Sequence, residues 1–215
     1  MKRSITAMLT AAALSLALLT ACGDSKNESV QTKPVKKSAV VYFSRVGNTE
    51  FPDDVDVVTS ASLNRDGDSI KGNAQLIAEW IADEADCETF EIIADESYPA
   101  DYDATVELAK KQQGDKERPK LKSSFDLKDY DTVWLVTPNW WYDLPMPVYS
   151  FIDEYDLSGK NIFVFATHEG SGFSSMIDTI KELEPDAQVV EAMSVRGKSV
   201  NDEEKNIRDR AKELM

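Results

Sequence analysis

A cluster of polar residues directly after an apolar run near residue 40 has the composition of an anion-binding turn. The segment, named loop one, is Ser44, Arg45, Val46, Gly47, Asn48 and Thr49. Successive backbone N–H groups in such a turn can form a nest for a phosphate, with hydroxyl and amide donors closing around it. It lacks the lysine and glycine spacing of a nucleotide P-loop, and one glycine is too few for a dinucleotide fingerprint. An ordinary polar turn between a strand and a helix would have the same composition.

Two later segments also combine special residues directly after apolar runs. Loop two is Thr137, Pro138, Asn139, Trp140, Trp141 and Tyr142, followed by Asp143. Three consecutive aromatic side chains cannot all face one core, so one of them could stack on a flat aromatic ligand; packing of the tryptophans under the next helix is the alternative. Loop three, 167–174, contains Thr167, Gly170, Ser171 and Gly172, and its glycines allow backbone N–H groups to approach a ligand closely.

The pattern of apolar residues predicts the elements that position these loops. Strands are predicted at 38–43, 89–93, 132–136, 161–166 and 187–190. Amphipathic helices are predicted at 73–85, 103–113, 145–155, 174–183 and 201–214, the last with Asn201 as its N-cap. Strands that alternate with helices predict an α/β fold, with a parallel sheet covered on both faces. Ligands of such sheets bind beyond the carboxyl ends of the strands, which is where the three loops lie.

The three loops in this order resemble those of the flavodoxin-like family, in a branch common in bacteria. The likeness rests on Ser44–Glu50 after an apolar strand, on Asn139-Trp140-Trp141 with Asp143-Leu144-Pro145-Met146-Pro147, and on Gly170–Phe173. It extends from residue 38 to the last helix. It implies a three-layer sandwich with a five-stranded parallel sheet in the order 2-1-3-4-5, and FMN at the point where the strand order reverses.

The resemblance also implies roles for the residues of each loop. Loop one, Ser44 to Thr49, would hold the FMN phosphate. One side of the isoalloxazine ring would be lined by Thr137, Pro138, Asn139 and Trp140, with Trp141 or Tyr142 as the stacking ring. Its polar edge would be bordered by Thr167, Gly170, Ser171 and Gly172. No side chain is assigned a catalytic role, because the flavin itself carries the redox chemistry.

The chain departs from the family pattern in three places. About 20 residues, 51–71, separate loop one from the helix that normally follows it directly, and we expect this insert to loop out so that Gly72 and Asn73 lie beside the phosphate. Tyr142 and Glu169 occupy positions where glycine is common in relatives. The Tyr142 ring would crowd or cover the flavin, and the Glu169 carboxylate would repel the negative charge of the reduced flavin.

Composition excludes several other classes of function. Among 215 residues there are 24 Lys and Arg against 39 Asp and Glu, giving a formal net charge of −15, whereas a nucleic-acid-binding protein needs a basic face. Two cysteines and one histidine, His168, cannot form a disulfide scaffold, a cysteine-based zinc site or a site with two imidazoles. His168 is either a donor beside the flavin or a solvated loop residue.

The first residues have the pattern of a targeting signal. Lys2 and Arg3 precede an uncharged apolar run, 5–19, which is too short to span a bilayer and ends at Ala21-Cys22. This resembles the lipobox of bacterial lipoproteins, and an ordinary secretory peptide with an incidental cysteine is the alternative. The expected organisation is a signal peptide at 1–21, a lipidated Cys22 with a flexible tether at 22–37, and one domain at 38–215.

These features lead to one functional hypothesis with two alternatives. We expect an FMN-binding electron-transfer protein or small reductase, lipid-anchored outside the cytoplasmic membrane of a bacterium. Its partner would be a redox protein or a small-molecule electron acceptor. The alternatives are an FMN-dependent NAD(P)H:quinone reductase and a flavin-free binding or interaction lipoprotein that retains the fold.

Overall fold

Five strands form one parallel sheet in the computed structural model of the chain, which describes residues 37–52, 55, 60–67 and 69–215. The strands are β1 (Ser38–Tyr42), β2 (Leu63–Asp66), β3 (Ser69–Gly72), β4 (Glu88–Glu91), β5 (Thr132–Pro138), β6 (Asn161–His168) and β7 (Gln188–Arg196). The helices are α1 (Asn73–Ala85), α2 (Tyr102–Gly114), α3 (Met146–Glu154), α4 (Met176–Leu183) and α5 (Glu204–Leu214), with short 3₁₀ helices at Val46–Asn48 and Gly197–Glu203.

The strand order of the large sheet confirms the predicted topology. It is β4-β1-β5-β6-β7, and all four pairings are parallel. Strands β2 and β3 form a separate antiparallel hairpin, so the order is 2-1-3-4-5 when the hairpin is set aside. β5 is buried along its whole length and β6 up to its last residue, as strands covered on both faces should be.

Two hydrophobic clusters, one on each face of the sheet, give the molecule three layers. On one face α1 and α5 cover Val40, Trp134 and Phe163. On the other face α3 and α4 cover the alternate strand residues, such as Val41 and Leu135. Because neighbouring strand residues point to opposite faces, each run supplies both clusters. Complete burial of such a side chain contributes about 1.5–3 kcal/mol.

The structure differs from the predicted elements mainly at three places. The last strand, β7, is predicted at 187–190 but continues to Arg196. The insert at 51–71 ends in the β2–β3 hairpin, which the sequence pattern does not predict because both strands are short and polar. The last helix begins at Glu204, after a 3₁₀ helix, and Asn201 does not cap it. Instead, the side-chain amides of Asn64 and Asn201 donate to each other's Oδ1 atoms at 3.1 and 3.2 Å. Asn201 therefore binds the β2–β3 hairpin and not the start of the helix.

The predicted signal peptide, 1–21, and all of the tether except Lys37 lie outside the described residues. Within the described ranges, no helix is long and apolar enough to cross a membrane.

Candidate functional site

The carboxyl ends of β1, β5 and β6 bring the three loops together. The Phe43 N–H donates to the Val136 carbonyl at 3.0 Å, and the Asn139 N–H donates to the Thr167 carbonyl at 2.7 Å. Beyond these ends lies a cleft of about 500 Å³, which is within the ~300–1,000 Å³ of typical small-molecule sites. Its lining, among the described residues, is Arg45, Ser60, Ala61, Ser62, Tyr102, Thr105, Val106, Ala109, Asn139, Trp140, Trp141, Tyr142, Glu169, Gly170 and Ser171.

Asn139 ties loop two to loop three across the cleft. Its side-chain amide donates to the Gly172 carbonyl at 2.9 Å and reaches the Ser174 hydroxyl at 3.3 Å. Its Oδ1 atom is buried and accepts no hydrogen bond from the part of the chain that the structure describes. A buried acceptor without a donor lowers the stability of the folded protein. The wall of the cleft therefore contains an acceptor, Oδ1 of Asn139, that can still accept a hydrogen bond.

Trp140 is anchored in the core and also lines the cleft. Its ring packs edge-to-face on Phe43 and Tyr98, with centroids 5.3 and 5.1 Å apart. The indole Nε1–H donates to the Ser62 hydroxyl at 2.9 Å. Burial of the neighbouring Tyr98 raises the pKa of its phenol, which therefore stays neutral. The Trp140 ring is thus a rigid wall and not a mobile cover.

Trp141 and Tyr142 form the tip of a two-residue hairpin turn. Trp140 and Asp143 exchange backbone hydrogen bonds of 2.9 and 3.1 Å across it. Both central residues have positive φ, 53° for Trp141 and 66° for Tyr142, a conformation that favours glycine or asparagine. Glycine at position 142 would adopt this conformation without a steric penalty. The Trp141 indole N–H donates to the Val106 carbonyl of α2 at 3.0 Å, whereas the Tyr142 side chain is 67% exposed.

Asp143 fixes this turn to the two helices that follow it. Its Oδ1 accepts from the Leu144 N–H at 2.8 Å, and its Oδ2 accepts from the hydroxyls of Tyr149 at 2.8 Å and Thr179 at 3.1 Å. Burial and the Asp143 carboxylate raise the pKa of Tyr149 to about 12, so the phenol remains a donor at neutral pH. These bonds hold a strained turn in place beside the cleft.

Replacing Tyr142 by glycine is expected to stabilise the protein relative to a Tyr142→Ala variant. A left-handed conformation costs a non-glycine residue about 1–2 kcal/mol, while glycine adopts it without a steric penalty. Both variants lose the exposed ring, so the difference between their free energies of unfolding reports the backbone strain alone. In urea unfolding, the free energy of unfolding of Tyr142→Gly should exceed that of Tyr142→Ala by about 1 kcal/mol. Equal midpoints would mean that the turn is unstrained.

Loop three is shaped by two glycines and one histidine. Gly170 has φ 140° and Gly172 has φ 61°, and a Cβ atom added at Gly170 would meet nothing within 4 Å. The Gly170 N–H donates to Nδ1 of His168 at 2.8 Å. Partial burial and the nearby Arg196 lower the pKa of His168, so the imidazole is neutral at pH 7 and can accept this bond. Glu169 is exposed at the lip of the cleft.

Two side chains of loop one, those of Ser44 and Asn48, form hydrogen bonds to backbone groups of the protein. The Asn48 side chain is buried and donates to the carbonyls of Ser44 and Ile92, both at 2.9 Å, while its Oδ1 accepts from the Ala94 N–H at 2.7 Å. The Ser44 hydroxyl accepts from the Val46 N–H at 3.1 Å. These bonds connect loop one to the end of β4.

Arg45 and Gly47 have different surroundings within loop one. The Arg45 guanidinium, in a residue only 2% exposed, donates to the Ala100 carbonyl at 2.7 Å and lines the cleft. A Cβ atom at Gly47 would lie 2.0 Å from Oε1 of Glu91, so a carboxylate backs this turn. Burial raises the pKa of Glu91, and the Tyr42 hydroxyl donates to it at 3.1 Å.

The predicted site residues fall into two groups. Those that line the cleft are Arg45, Asn139, Trp140, Trp141, Tyr142, Gly170 and Ser171. Those that do not line it are Ser44, Val46, Gly47, Asn48, Thr49, Thr137, Pro138, Thr167 and Gly172. Their assignment to FMN stays a prediction. The insert does return beside loop one, because a Cβ atom at Gly72 would lie 2.0 Å from the Ser44 hydroxyl oxygen.

Sequence reasoning missed two walls of the cleft. One is Ser60-Ala61-Ser62 from the insert, and the other is the face of α2 with Tyr102, Thr105, Val106 and Ala109. The only local signal of the first wall was a run of three small residues. Among the described residues, no cluster of His, Cys, Asp or Glu is placed to hold a metal ion.

Comparisons with known proteins were made for both the sequence and the structure. The sequence pattern of the family described as Flavodoxin matches residues 68–210, a range that includes loops two and three. No curated protein sequence matches the chain.

Solved structures with a similar fold include a candidate flavoprotein from Bacteroides eggerthii, 23% identical, with 83% of this chain and 97% of that chain covered and a TM-score of 0.60. A flavoprotein from Lactobacillus acidophilus in complex with FMN is 21% identical, with coverages of 79% and 99% and a TM-score of 0.54.

Proposed function

Because this chain belongs to the flavodoxin family, we propose that it binds FMN in the cleft described above and transfers electrons through it. The observation that carries this proposal is the meeting of loops two and three, with an aromatic wall facing a glycine-containing backbone across one cleft. The structure of the Lactobacillus acidophilus flavoprotein with FMN supports it at the level of the fold.

The residues present fit a flavin. Trp140, Trp141 and Tyr142 supply the ring surface that a flat heterocycle needs. The buried Oδ1 of Asn139 requires a donor, and the imide N–H of a flavin is one. Gly170 lines the cleft, and a Cβ atom at this position would meet nothing within 4 Å, so the space beside its backbone is open. A bound flavin supplies electron and hydride transfer.

The side chains around the cleft position and tune the cofactor. Loop two would exclude water from one face of the ring, and Asn139 would orient its polar edge. The Glu169 carboxylate at the lip would disfavour added negative charge, and with it the reduced form. His168 is neutral at pH 7 and would not offset this effect.

A reductive titration of the FMN-loaded protein tests this function. We expect reversible reduction at a potential more negative than that of free FMN, and a less negative potential for Glu169→Gln. A carrier should not oxidise NADH in the presence of a quinone, whereas a quinone reductase should. A bound flavin whose potential equals that of free FMN would contradict the proposed tuning.

We also propose that the protein is lipid-anchored at Cys22 outside the cytoplasmic membrane, on the evidence of the apolar run and the Ala21-Cys22 junction. A Cys22→Ser variant should lose incorporation of a labelled fatty acid and leave the membrane fraction. A variant that keeps its label and its membrane association would contradict lipidation at this residue.

A further inference from the structure

A carboxyl group lies against the centre of loop one. A Cβ atom added at Gly47 would lie 2.0 Å from Oε1 of Glu91, 2.4 Å from its carboxyl carbon and 2.7 Å from Oε2. The Glu91 carboxyl therefore fills the space that a side chain at Gly47 would take. Glu91 is the last residue of β4 and is paired in register with Tyr42 of β1, so the sheet fixes its position.

The Glu91 carboxyl is half-buried and is held by a tyrosine. The Tyr42 hydroxyl donates to Oε2 of Glu91 at 3.1 Å. Burial and the carboxylates of Glu91 and Glu79 raise the pKa of Tyr42, so the phenol remains a neutral donor. Burial also raises the pKa of Glu91, and the hydrogen bond from Tyr42 only partly opposes this effect. Glu91 therefore takes up a proton more readily than an exposed glutamate does.

The charged groups on the elements around Glu91 do not neutralise it. Lys71 of β3 binds the Glu79 carboxylate of α1 at 2.8 Å, and the Arg45 guanidinium of loop one donates to the Ala100 carbonyl at 2.7 Å. A phosphate held by loop one would bring further negative charge to the same region. Two anionic groups close together in a partly buried region repel each other and favour protonation of one of them.

We propose that the Glu91 carboxyl takes up a proton from solvent when loop one receives the phosphate of FMN, so that FMN affinity falls as the pH rises. This inference rests on the proposed FMN binding, with the phosphate in loop one. Where Glu91 is already neutral before binding, it does not oppose the phosphate. At higher pH the protein must bind a proton together with FMN, or hold two like charges side by side, and either requirement weakens binding.

The FMN dissociation constant of Glu91→Gln, measured by flavin fluorescence at two pH values, tests the inference. Glutamine keeps an acceptor for the Tyr42 hydroxyl but carries no charge at any pH. At about pH 8 this variant should bind FMN at least about tenfold more tightly than the unmodified protein, and at about pH 5 the difference should shrink below about threefold. The phosphate of FMN titrates in both experiments, so its own ionisation cancels in the comparison.

Glu88→Gln is the matched control. Glu88 also lies on β4 and also accepts a hydrogen bond from a tyrosine hydroxyl, that of Tyr130, but it is at the opposite end of the strand from loop one. This variant should keep the FMN affinity and the pH dependence of the unmodified protein. Riboflavin, which lacks the phosphate, should bind both variants within about twofold of the unmodified protein at either pH, which also shows that they are folded.

The outcomes separate this inference from the proposed function. If Glu91→Gln keeps the FMN affinity of the unmodified protein at both pH values, or binds FMN more weakly at both, the inference is overturned although flavin binding stands. If Glu91→Gln does not fold, calorimetry of the unmodified protein in two buffers of different ionisation enthalpy decides, and proton uptake is expected with FMN but not with riboflavin. If the unmodified protein binds neither flavin at either pH, the proposed function itself fails.

Discussion

Asn48→Ala is expected to lower the free energy of unfolding by about 3–5 kcal/mol, because it leaves three buried backbone groups without partners. These groups are the carbonyls of Ser44 and Ile92 and the N–H of Ala94. The substitution cuts the connection between loop one and the end of β4. Urea unfolding followed by far-ultraviolet circular dichroism measures the effect.

Asn201→Ala is the matched control for this prediction. Its amide also bridges two segments, but the residue is exposed and the bond partners remain solvated, so the cost should stay below about 1 kcal/mol. If Asn48→Ala proved as stable as the unmodified protein and yet lost FMN affinity, Asn48 would be a ligand residue, as the resemblance implies.

Gly197→Ala is expected to displace the insert wall of the cleft and to destabilise the protein by about 1–3 kcal/mol. An added Cβ atom would lie 2.1 Å from the Ser60 carbonyl oxygen and 2.9 Å from Nδ2 of Asn73. The first of these is backbone, so the clash cannot be relieved by a side-chain rotation. The wall formed by Ser60, Ala61 and Ser62 should move with it, and FMN affinity should fall about tenfold.

Gly114→Ala provides the control for Gly197→Ala. A Cβ atom at Gly114 would meet nothing within 4 Å, so that substitution should be neutral or slightly stabilising and leave the FMN affinity unchanged. A Gly197→Ala variant with unchanged stability would mean that the insert is free to shift. Unchanged FMN affinity in a destabilised variant would mean that the insert wall does not shape the flavin site.

The sheet and its order could be predicted because the central strands are buried on both faces. Residues 132–136 and 161–166 are short, almost entirely apolar runs rich in β-branched and aromatic residues, which is typical of a parallel strand covered on both faces. The three loops were placed correctly at the carboxyl ends of β1, β5 and β6, because their position follows from the topology alone.

Which polar side chains face the cleft, and which bond to the backbone, could not be predicted, because this depends on contacts between residues distant in sequence. Asn48 bonds to Ile92 and Ala94, and Thr167 bonds to Ala61, across 44, 46 and 106 residues respectively. No local pattern shows whether a polar side chain faces a ligand or a distant carbonyl.

The conformation of the turn at Trp141 and Tyr142 could not be predicted either, and here the reason is local. Its conformation requires positive φ at two residues whose types disfavour it, so local propensity predicts something else. The bonds of Asp143 to Tyr149 and Thr179 override that propensity. Departures of this kind are expected beside functional sites.

Titration of the purified protein with FMN, followed by quenching of flavin fluorescence, tests the central claim that this cleft is a flavin site. Saturation at about one equivalent is predicted, with weaker binding in a Trp140→Ala variant, since Trp140 forms a wall of the cleft. Fluorescence that stays equal to that of free FMN throughout the titration would contradict the account.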